Sequence, residues 1–269
     1  MAKEKLVFTT TTLRESFAIQ VRVIWALIMR EILTRYGRHN IGFLWLFVEP
    51  MLFTLGVTTL WALTGLHKGS NLPITAFGLT GYSTVLLWRN MPARCINSIL
   101  PNSALMYHRN VRVLDIYISR VALEAIGATM SFTVLSFVFV FFHLMNPPEN
   151  PLLLVGGWLM TAWFGGSLAI MLGALSERTE VVEKLWHPAA YLLFPISGAA
   201  YLVDALPQRA ADVVLWLPMV HGGEMVRDGY FGSKFVAHYS VGYVFVCCMV
   251  LTLLGLALER IVTRDFVPE

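Results

Sequence analysis

Glu49 is a carboxylate in a position where a charge is costly, inside an apolar run at 41–63 and directly before Pro50. Proline lacks a backbone donor and disturbs the hydrogen-bond ladder of a helix. Charges at membrane depth usually face a pathway or a partner. Two interpretations follow: a group that lines or gates a pore, or a structural ion pair or headgroup-level residue at a helix break.

Aromatic rings and arginines near this run could recognise a polar ligand. Rings inside a pore can stack against sugar faces, and arginines bind acidic groups. The alternative is that the rings anchor helices at the membrane interface and the arginines fix topology, since both residue types are enriched there. The candidate rings are Trp45, Trp61, Tyr82 and Trp88, and the candidate cations are Arg89 and Arg94.

Arg120 and Glu124 are one helical turn apart, with Asp115 shortly before them. Two opposite charges at i and i+4 on a helix can satisfy each other. We therefore expect a structural ion pair here rather than a transport role.

Small residues recur at four-residue spacing between 151 and 175. Such a stripe lets helix backbones approach closely where lipid supplies little hydrophobic drive. It predicts close packing, either within the chain or between two copies. The stripe consists of Gly157, Thr161, Gly165, Ala169 and Gly173.

Motifs for nucleotide binding or hydrolysis are absent from the sequence. It contains no G-x-x-x-x-G-K-[ST], no H-E-x-x-H, no G-x-S-x-G and no Rossmann fingerprint. Cys95, Cys247 and Cys248 lack metal-ligand spacing and are interpreted as small apolar residues. We therefore expect no metal, no cofactor in this chain and no enzyme activity of the chain alone.

Apolar runs must form the elements that position these residues. The chain is 57% hydrophobic and 14% charged, whereas a typical soluble domain is about 25% charged. A bilayer core about 30 Å thick needs roughly 20 helical residues to cross it. The shorter apolar run 213–220 predicts an interfacial or re-entrant piece. The sequence predicts an all-α protein with a single membrane domain, residues 1–269, and six transmembrane helices at about 41–63, 72–88, 121–145, 151–175, 185–203 and 235–258.

Basic residues predict the orientation. Most of the 20 Lys and Arg fall in the N-terminal segment, the connection between the second and third runs, or the C-terminal segment. Because cytoplasmic loops carry an excess of Lys and Arg, both termini are predicted to be cytoplasmic. Residues 1–12 are polar and lack the apolar run and cleavage site of a signal peptide.

Residues 13–38 predict an amphipathic helix along the cytoplasmic membrane surface. An apolar stripe runs from Trp25 to Tyr36 at helical spacing. We expect its aromatic residues in the interface and its arginines toward water or anionic headgroups. The alternative is a helix packed onto soluble protein. The polar side carries Arg30, Glu31, Arg35 and Arg38.

The connection between the second and third runs predicts a short exposed helix with apolar and aromatic side chains. Its start at Asn102 and Ser103 resembles a helix cap. A soluble partner could bind this segment. The candidate contact residues are Asn102, Leu105, Met106, Tyr107, His108 and Arg109.

Several blocks, in order along the chain, resemble the ABC-2 type export permeases, and in particular the capsular polysaccharide permeases of Gram-negative bacteria. A motif within 205–230 is similar to the family's external re-entrant segment, although Leu217 stands where the family usually has Asn. The resembling blocks are Arg30-Glu31-Ile-Leu-Thr-Arg35-Tyr36-Gly37, Gly42-Phe-Leu-Trp45, Glu49-Pro50, Asn102-x-x-Leu105, Leu114-Asp115, Arg120-Val-Ala-Leu-Glu124 and Trp216-Leu-Pro218-Met-Val-His221-x-x-Glu224-x-x-Arg227.

The resemblance implies a homodimer of six-span permeases in the bacterial inner membrane, bound to two separate ATP-binding subunits that hold ATP and Mg. It implies that residues 102–112 couple to the ATPase. A periplasmic adaptor and an outer-membrane channel would continue the route. The implied substrate is an acidic capsular polysaccharide with a lipid anchor.

Three alternatives stay open at this point. The same machine could carry O-antigen or a teichoic-acid-type polymer. An ion-coupled secondary transporter would show inverted repeats and several intramembrane carboxylates. A membrane enzyme would need a clustered catalytic set, whereas His187, His221 and His238 are scattered along the sequence.

Overall fold

The fold is helical. The computed structural model describes residues 12–36, 42–65, 72–106 and 111–266, and its regular elements there are all helices, as the sequence predicts. Single 3-10 turns lie at Leu100–Asn102, Val203–Ala205 and Gly232–Lys234. The α-helices are α1 (Leu13–Tyr36), α2 (Gly42–Thr64), α3 (Ile74–Cys95), α4 (Ser103–Met106), α5 (Val113–Phe141), α6 (Pro151–Ser176), α7 (Val181–Ile196), α8 (Gln208–Val214), α9 (Pro218–Phe231) and α10 (Val241–Phe266).

Four stretches within the described ranges are long and apolar enough to cross a membrane. They belong to α2, α5, α6 and α10, and cover Leu44–Thr64, Val113–Phe141, Pro151–Ser176 and Val241–Arg264. These helices correspond to four of the six predicted spans.

α3 and α7 overlap the other two predicted spans, at 72–88 and 185–203, but they differ from the other four helices in burial or length. α3 is enclosed by α2, α5, α6 and α9, so its polar residues such as Thr80 and Ser83 are buried by protein. α7 has 16 residues. Its length is therefore about 24 Å, against a hydrocarbon core of about 30 Å. An apolar run in the sequence does not by itself reveal that α3 is enclosed by protein or that α7 is short.

Several predicted boundaries are displaced. α5 begins at Val113 rather than near 121, because the Asp115 carboxylate accepts the backbone N–H of Arg112 at 2.9 Å and so caps the start of the helix. It ends at Phe141 rather than 145, and His143 just beyond it has a φ of 56°. The last helix starts at Val241 rather than 235, since α9 and its following turn extend to Lys234.

α6 lies at the centre of the helix packing and contacts α3, α5, α7, α9 and α10. Its small-residue stripe makes these close approaches possible. A Cβ on Gly157 would lie 2.7 Å from the backbone nitrogen of Val226 in α9, and one on Gly165 would lie 2.8 Å from Cα of Trp88 in α3. The stripe therefore packs within the chain, which was one of the two interpretations of its spacing.

Candidate functional site

α2 presents Glu49 to an open groove. The helix continues through Pro50, and the Glu49 side chain is exposed. Within the described residues, its carboxylate makes no ion pair and no hydrogen bond. The structural ion-pair interpretation of Glu49 therefore has no partner to support it in this part of the chain.

The groove beside Glu49 has a volume of 690 Å³ and mostly apolar walls. Trp45 lies on the same helix face and is 50% exposed. Arg35 from α1 and Arg94 from α3 form the charged part of the lining. The remaining lining residues are Leu52, Phe53, Gly56 and Val57 of α2.

A second cavity of 330 Å³ adjoins the first and shares Glu49, Phe53 and Arg94 with it. Its lining is more polar and includes Arg89 and His187. The further lining residues are Leu46, Pro50, Leu86, Asn90, Ala93 and Glu124. These two adjoining cavities make up the groove along α2, and the charged residues that line it come from four helices, α1, α2, α3 and α5.

The cations of this groove are suited to an anionic, partly apolar ligand. Arg89 stacks over Tyr191 of α7, with 5.7 Å from the guanidinium carbon to the ring centroid. Arg94 keeps 40% of its side chain exposed while its Nε lies 3.2 Å from Oε1 of Glu124. Both arginines are therefore held in place by the protein and still reach the open space.

Three of the four candidate rings lie elsewhere, which corrects the expectation that they could face an open path. Trp88 is 1% exposed and packs against Phe164 of α6. Tyr82 and Trp61 are each 6% exposed and contact Phe194 and Phe77. Because α3 is an internal helix, its rings belong to the core, and only Trp45 of the four lines the groove.

A cluster of ion pairs joins α1, α3 and α5 next to the groove. The Glu124 carboxylate accepts Arg35 and Arg94, and Glu31 lies 3.2 Å from Arg35 Nη2. Arg120 completes the cluster, with its Nε 3.7 Å from Glu31 Oε1 and its Nη1 donating to the backbone carbonyl of Arg94 at 2.5 Å.

This cluster corrects the predicted pairing of Arg120 with Glu124. The two residues share a helix, but each finds its partners on other helices. Spacing along one helix shows which charges can meet, whereas the packing of α1 against α5 determines which ones do.

The two sides of α1 are also arranged differently from the prediction. Arg30, Glu31 and Arg35 point into the protein, where Arg30 donates to the Asn102 side chain and the other two enter the ion-pair cluster. The outward side is apolar instead, with Phe17 72% and Trp25 61% exposed. Ile28 and Ile32 pack inward against α2 and α5. Arg38 lies outside the described residues.

The predicted partner-binding loop begins with a buried anchor. Asn102 is 4% exposed and donates to the carbonyl of Ser98 at 2.7 Å, so it holds the loop rather than facing a partner. The short helix follows as α4, and its Leu105 and Met106 are half-buried. Tyr107, His108 and Arg109 lie outside the described residues.

A buried polar group in α9 was not among the predicted site residues. Arg227 is 1% exposed and donates to the carbonyls of Gly198, Ala199 and Tyr201 at 2.6 to 2.7 Å. Glu224 is equally buried and accepts the N–H of His238 at 3.1 Å. The spacing of Glu224 and Arg227 in an otherwise small and apolar helix is the sequence signal that could have identified them.

His221 extends this polar group by linking α9 to the start of α10. Its Nδ1 accepts the backbone N–H of Ser240 at 3.0 Å, and its Nε2 lies 2.8 Å from the carbonyl of Leu215. The imidazole is therefore neutral with the proton on Nε2, because a carbonyl can only accept. These three side chains fasten α9 to the connections on both sides of it.

Comparisons with known proteins cover most of the chain. The sequence pattern of the ABC-2 type transporter family matches residues 22–231. Over 259 residues the chain is 42% identical to the capsule polysaccharide export inner-membrane proteins BexB of Haemophilus influenzae and CtrC of Neisseria meningitidis, covering 96% of this chain and 98% of each relative. It is 24% identical over 252 residues to the polysialic acid transport protein KpsM of Escherichia coli, covering 94% and 97%.

Proposed function

This chain belongs to the ABC-2 type transporter family, and from that premise we propose that it is the inner-membrane permease subunit of an ATP-driven exporter of capsular polysaccharide. The observation that carries the proposal is the 42% identity to capsule export proteins over nearly the full length of both chains.

The groove along α2 is the proposed path for the polymer. Glu49, Arg89 and Arg94 supply fixed charges, and Trp45 supplies an exposed ring. Arginines bind carboxylates and phosphates through paired N–H donors, so they favour an acidic glycan and the anionic head of a lipid anchor. The apolar wall formed by Leu52, Phe53 and Val57 suits the apolar part of such a substrate.

The proposed topology has six spans, formed by α2, α3, α5, α6, α7 and α10, with both termini in the cytoplasm. α3 can cross because protein rather than lipid surrounds its polar side chains. α8 and α9 form the proposed external re-entrant segment. α9 has 14 residues, about 21 Å, which is too short to span, and its polar side chains bond to protein.

The proposed partners are those that the family resemblance implies, and the sequence itself contains no Walker motif for binding ATP. Two separate ATP-binding subunits bind ATP and Mg and dock on residues 102–112 of two permease copies. α1 rests at the cytoplasmic membrane surface through its exposed apolar side. A periplasmic adaptor and an outer-membrane channel receive a polysaccharide that carries a lipid anchor.

Deletion of the gene in a capsulated host tests this function. We expect surface capsule to disappear while polymer accumulates inside the cell, and we expect the wild-type gene to restore the surface polymer. Normal surface capsule in the deletion strain would contradict the proposal.

Complementation with Glu49→Gln tests the path. Because Glu49 has no ion-pair partner in the described residues, the substitution should lower export without lowering the amount of folded protein. The control is Glu180→Gln, which alters an exposed carboxylate paired with Lys184 at 2.9 Å outside the groove. Wild-type export with Glu49→Gln would remove Glu49 from the path.

A further inference from the structure

Residues 97–102 join the end of α3 to α4, and they are bonded to the hairpin formed by α6 and α7. The backbone N–H of Asn97 donates to Ser176 Oγ at 3.0 Å, and its side-chain amide donates to the Glu183 carboxylate at 2.5 Å. The N–H of Ile99 donates to Glu177 Oε1 at 3.0 Å. Three separate hydrogen bonds thus connect this segment to the end of α6 and the first turn of α7.

The same segment is bonded to α1 on its other side. Asn102 accepts the Arg30 guanidinium and donates to the carbonyl of Ser98. Ser98 and Ile99 are completely buried, so the segment is seated in the protein and not a loose connection. A displacement of α4 therefore cannot be absorbed by slack between α3 and α4.

Asn97 and Glu177 are adapted to these bonds. Asn97 has a φ of 51°, a left-handed conformation that Asn tolerates better than most residues, and in it both the N–H and the side-chain amide bond to the hairpin. Burial raises the pKa of Glu177, and the N–H of Ile99 opposes that shift. The hydrogen bond thus replaces hydration that the carboxylate loses.

α7 is the helix that these hydrogen bonds can displace. Its outward side is open, with Tyr191 and Leu192 each 72% exposed, and Pro188 removes a donor from its middle. His187 of α7 lines the smaller cavity of the groove. A movement of the first turn of α7 would therefore change the shape of the groove.

We propose that residues 97–102 transmit displacement of α4 to α7, with Asn97, Glu177 and Glu183 as positioning residues. The proposal rests on the proposed function, in which α4 belongs to the segment that docks on the ATPase. Through this link, nucleotide binding on the partner would shift α7 and change the groove at His187.

The test uses the full complex of this chain with its ATPase in liposomes, and two variants at exposed positions. Asn97→Gly keeps the left-handed backbone and removes the amide, and Glu183→Ala removes its acceptor. Glu180→Ala is the matched control, because it alters an exposed carboxylate next to the same helix end. ATP hydrolysis and polymer transport are both measured.

We expect both variants to bind the ATPase and hydrolyse ATP while transport per ATP falls about 5-fold or more. The double variant should be no worse than either single variant, because the two side chains are partners. Glu180→Ala should behave as wild type. Unchanged transport per ATP, loss of ATPase binding, or independent effects that multiply in the double variant would overturn the link.

A probe on α7 separates this inference from the proposed function. A fluorophore is attached to Leu185→Cys in a Cys247→Ser background, since Cys95 and Cys248 are buried and Leu185 is 61% exposed. We expect its signal to respond to nucleotide in the complex, and Asn97→Gly to reduce that response about 5-fold or more. An undiminished response in Asn97→Gly overturns the link, whereas polymer transport that fails in the wild type contradicts only the proposed substrate.

Discussion

The Arg227 side chain caps the end of α7, which in other helices is usually done by a local capping sequence. The chain leaves α7 through Gly198, which has a φ of 80°, and the carbonyls that follow have no helical partner. Arg227 satisfies three of them and stacks on Phe77 of α3, with 4.4 Å from its guanidinium carbon to the ring centroid. One side chain thereby connects α9, the end of α7 and α3.

Replacement of Arg227 by Met should destabilise the protein strongly. It leaves buried carbonyls without donors and the Glu224 carboxylate buried without its cation, a loss of about 3–5 kcal/mol in the free energy of unfolding. Thermal unfolding of the purified chain in detergent measures this effect. Arg209→Met, which removes an exposed arginine from α8, should leave the transition unchanged. Equal transitions for both variants would contradict the role of Arg227.

At the scale of a single helix, α6 shows what a spacing of small residues can specify. The nearest atom that a Cβ on Gly165 would meet belongs to backbone, Cα of Trp88 at 2.8 Å, and Met91 Sδ lies 3.0 Å away. Neither helix can yield locally. The close approach of α3 to α6 therefore depends on this glycine.

Gly165→Ala should separate α3 from α6 and reduce the yield of folded protein, at a cost of about 1–3 kcal/mol. The matched control is Gly56→Ala on α2, where an added Cβ meets nothing within 4 Å. Size-exclusion chromatography and thermal unfolding in detergent compare the two. A Gly165→Ala protein as stable as Gly56→Ala would contradict the packing argument.

The proposed docking segment, residues 102–112, can be tested by its binding to the ATPase. Replacing Leu105 and Tyr107 together with Ala should weaken co-purification with the ATPase and uncouple export while membrane insertion stays normal. The reason is that apolar and aromatic side chains carry most of the binding energy of a small interface. Asp212→Asn, on α8 in the proposed external segment, serves as control. Normal co-purification together with normal export would remove 102–112 from the proposed interface.

The positions of the helices could be predicted from the sequence better than the contacts between their side chains. Apolar runs located six helices because each run is a local property. The ion pair of Arg35 with Glu124 joins residues 89 positions apart, so no spacing rule could anticipate it. The same limitation explains the three rings that were expected to face an open path, since only packing reveals that α3 is internal and that Trp61 of α2 packs against Phe77. Glu49 could be selected because a carboxylate is unusual within an apolar run, Arg89 and Arg94 because they follow such a run, and Trp45 because an aromatic ring can stack on a sugar.

For the whole molecule, the proposed topology predicts which surfaces an impermeant reagent can reach. Cysteines are introduced singly at Ser233 and at Arg178, both exposed, in a Cys247→Ser background. In intact spheroplasts, we expect a membrane-impermeant maleimide to label Ser233→Cys, which lies beyond α9, and to spare Arg178→Cys between α6 and α7. Both should react after lysis. The reverse pattern would invert the orientation that the basic residues predict.

The shortness of α7 has a consequence for the lipid beside it. If α7 spans the bilayer as in the proposed topology, a helix of 16 residues offers about 6 Å less apolar length than the hydrocarbon core, a hydrophobic mismatch that the bilayer would relieve by thinning next to the helix. Headgroups near α7 would therefore sit closer to the midplane than elsewhere around the protein. Transport by this chain should accordingly depend on acyl-chain length. Shorter lipids should favour the position of α7 in which more of the helix is exposed to lipid.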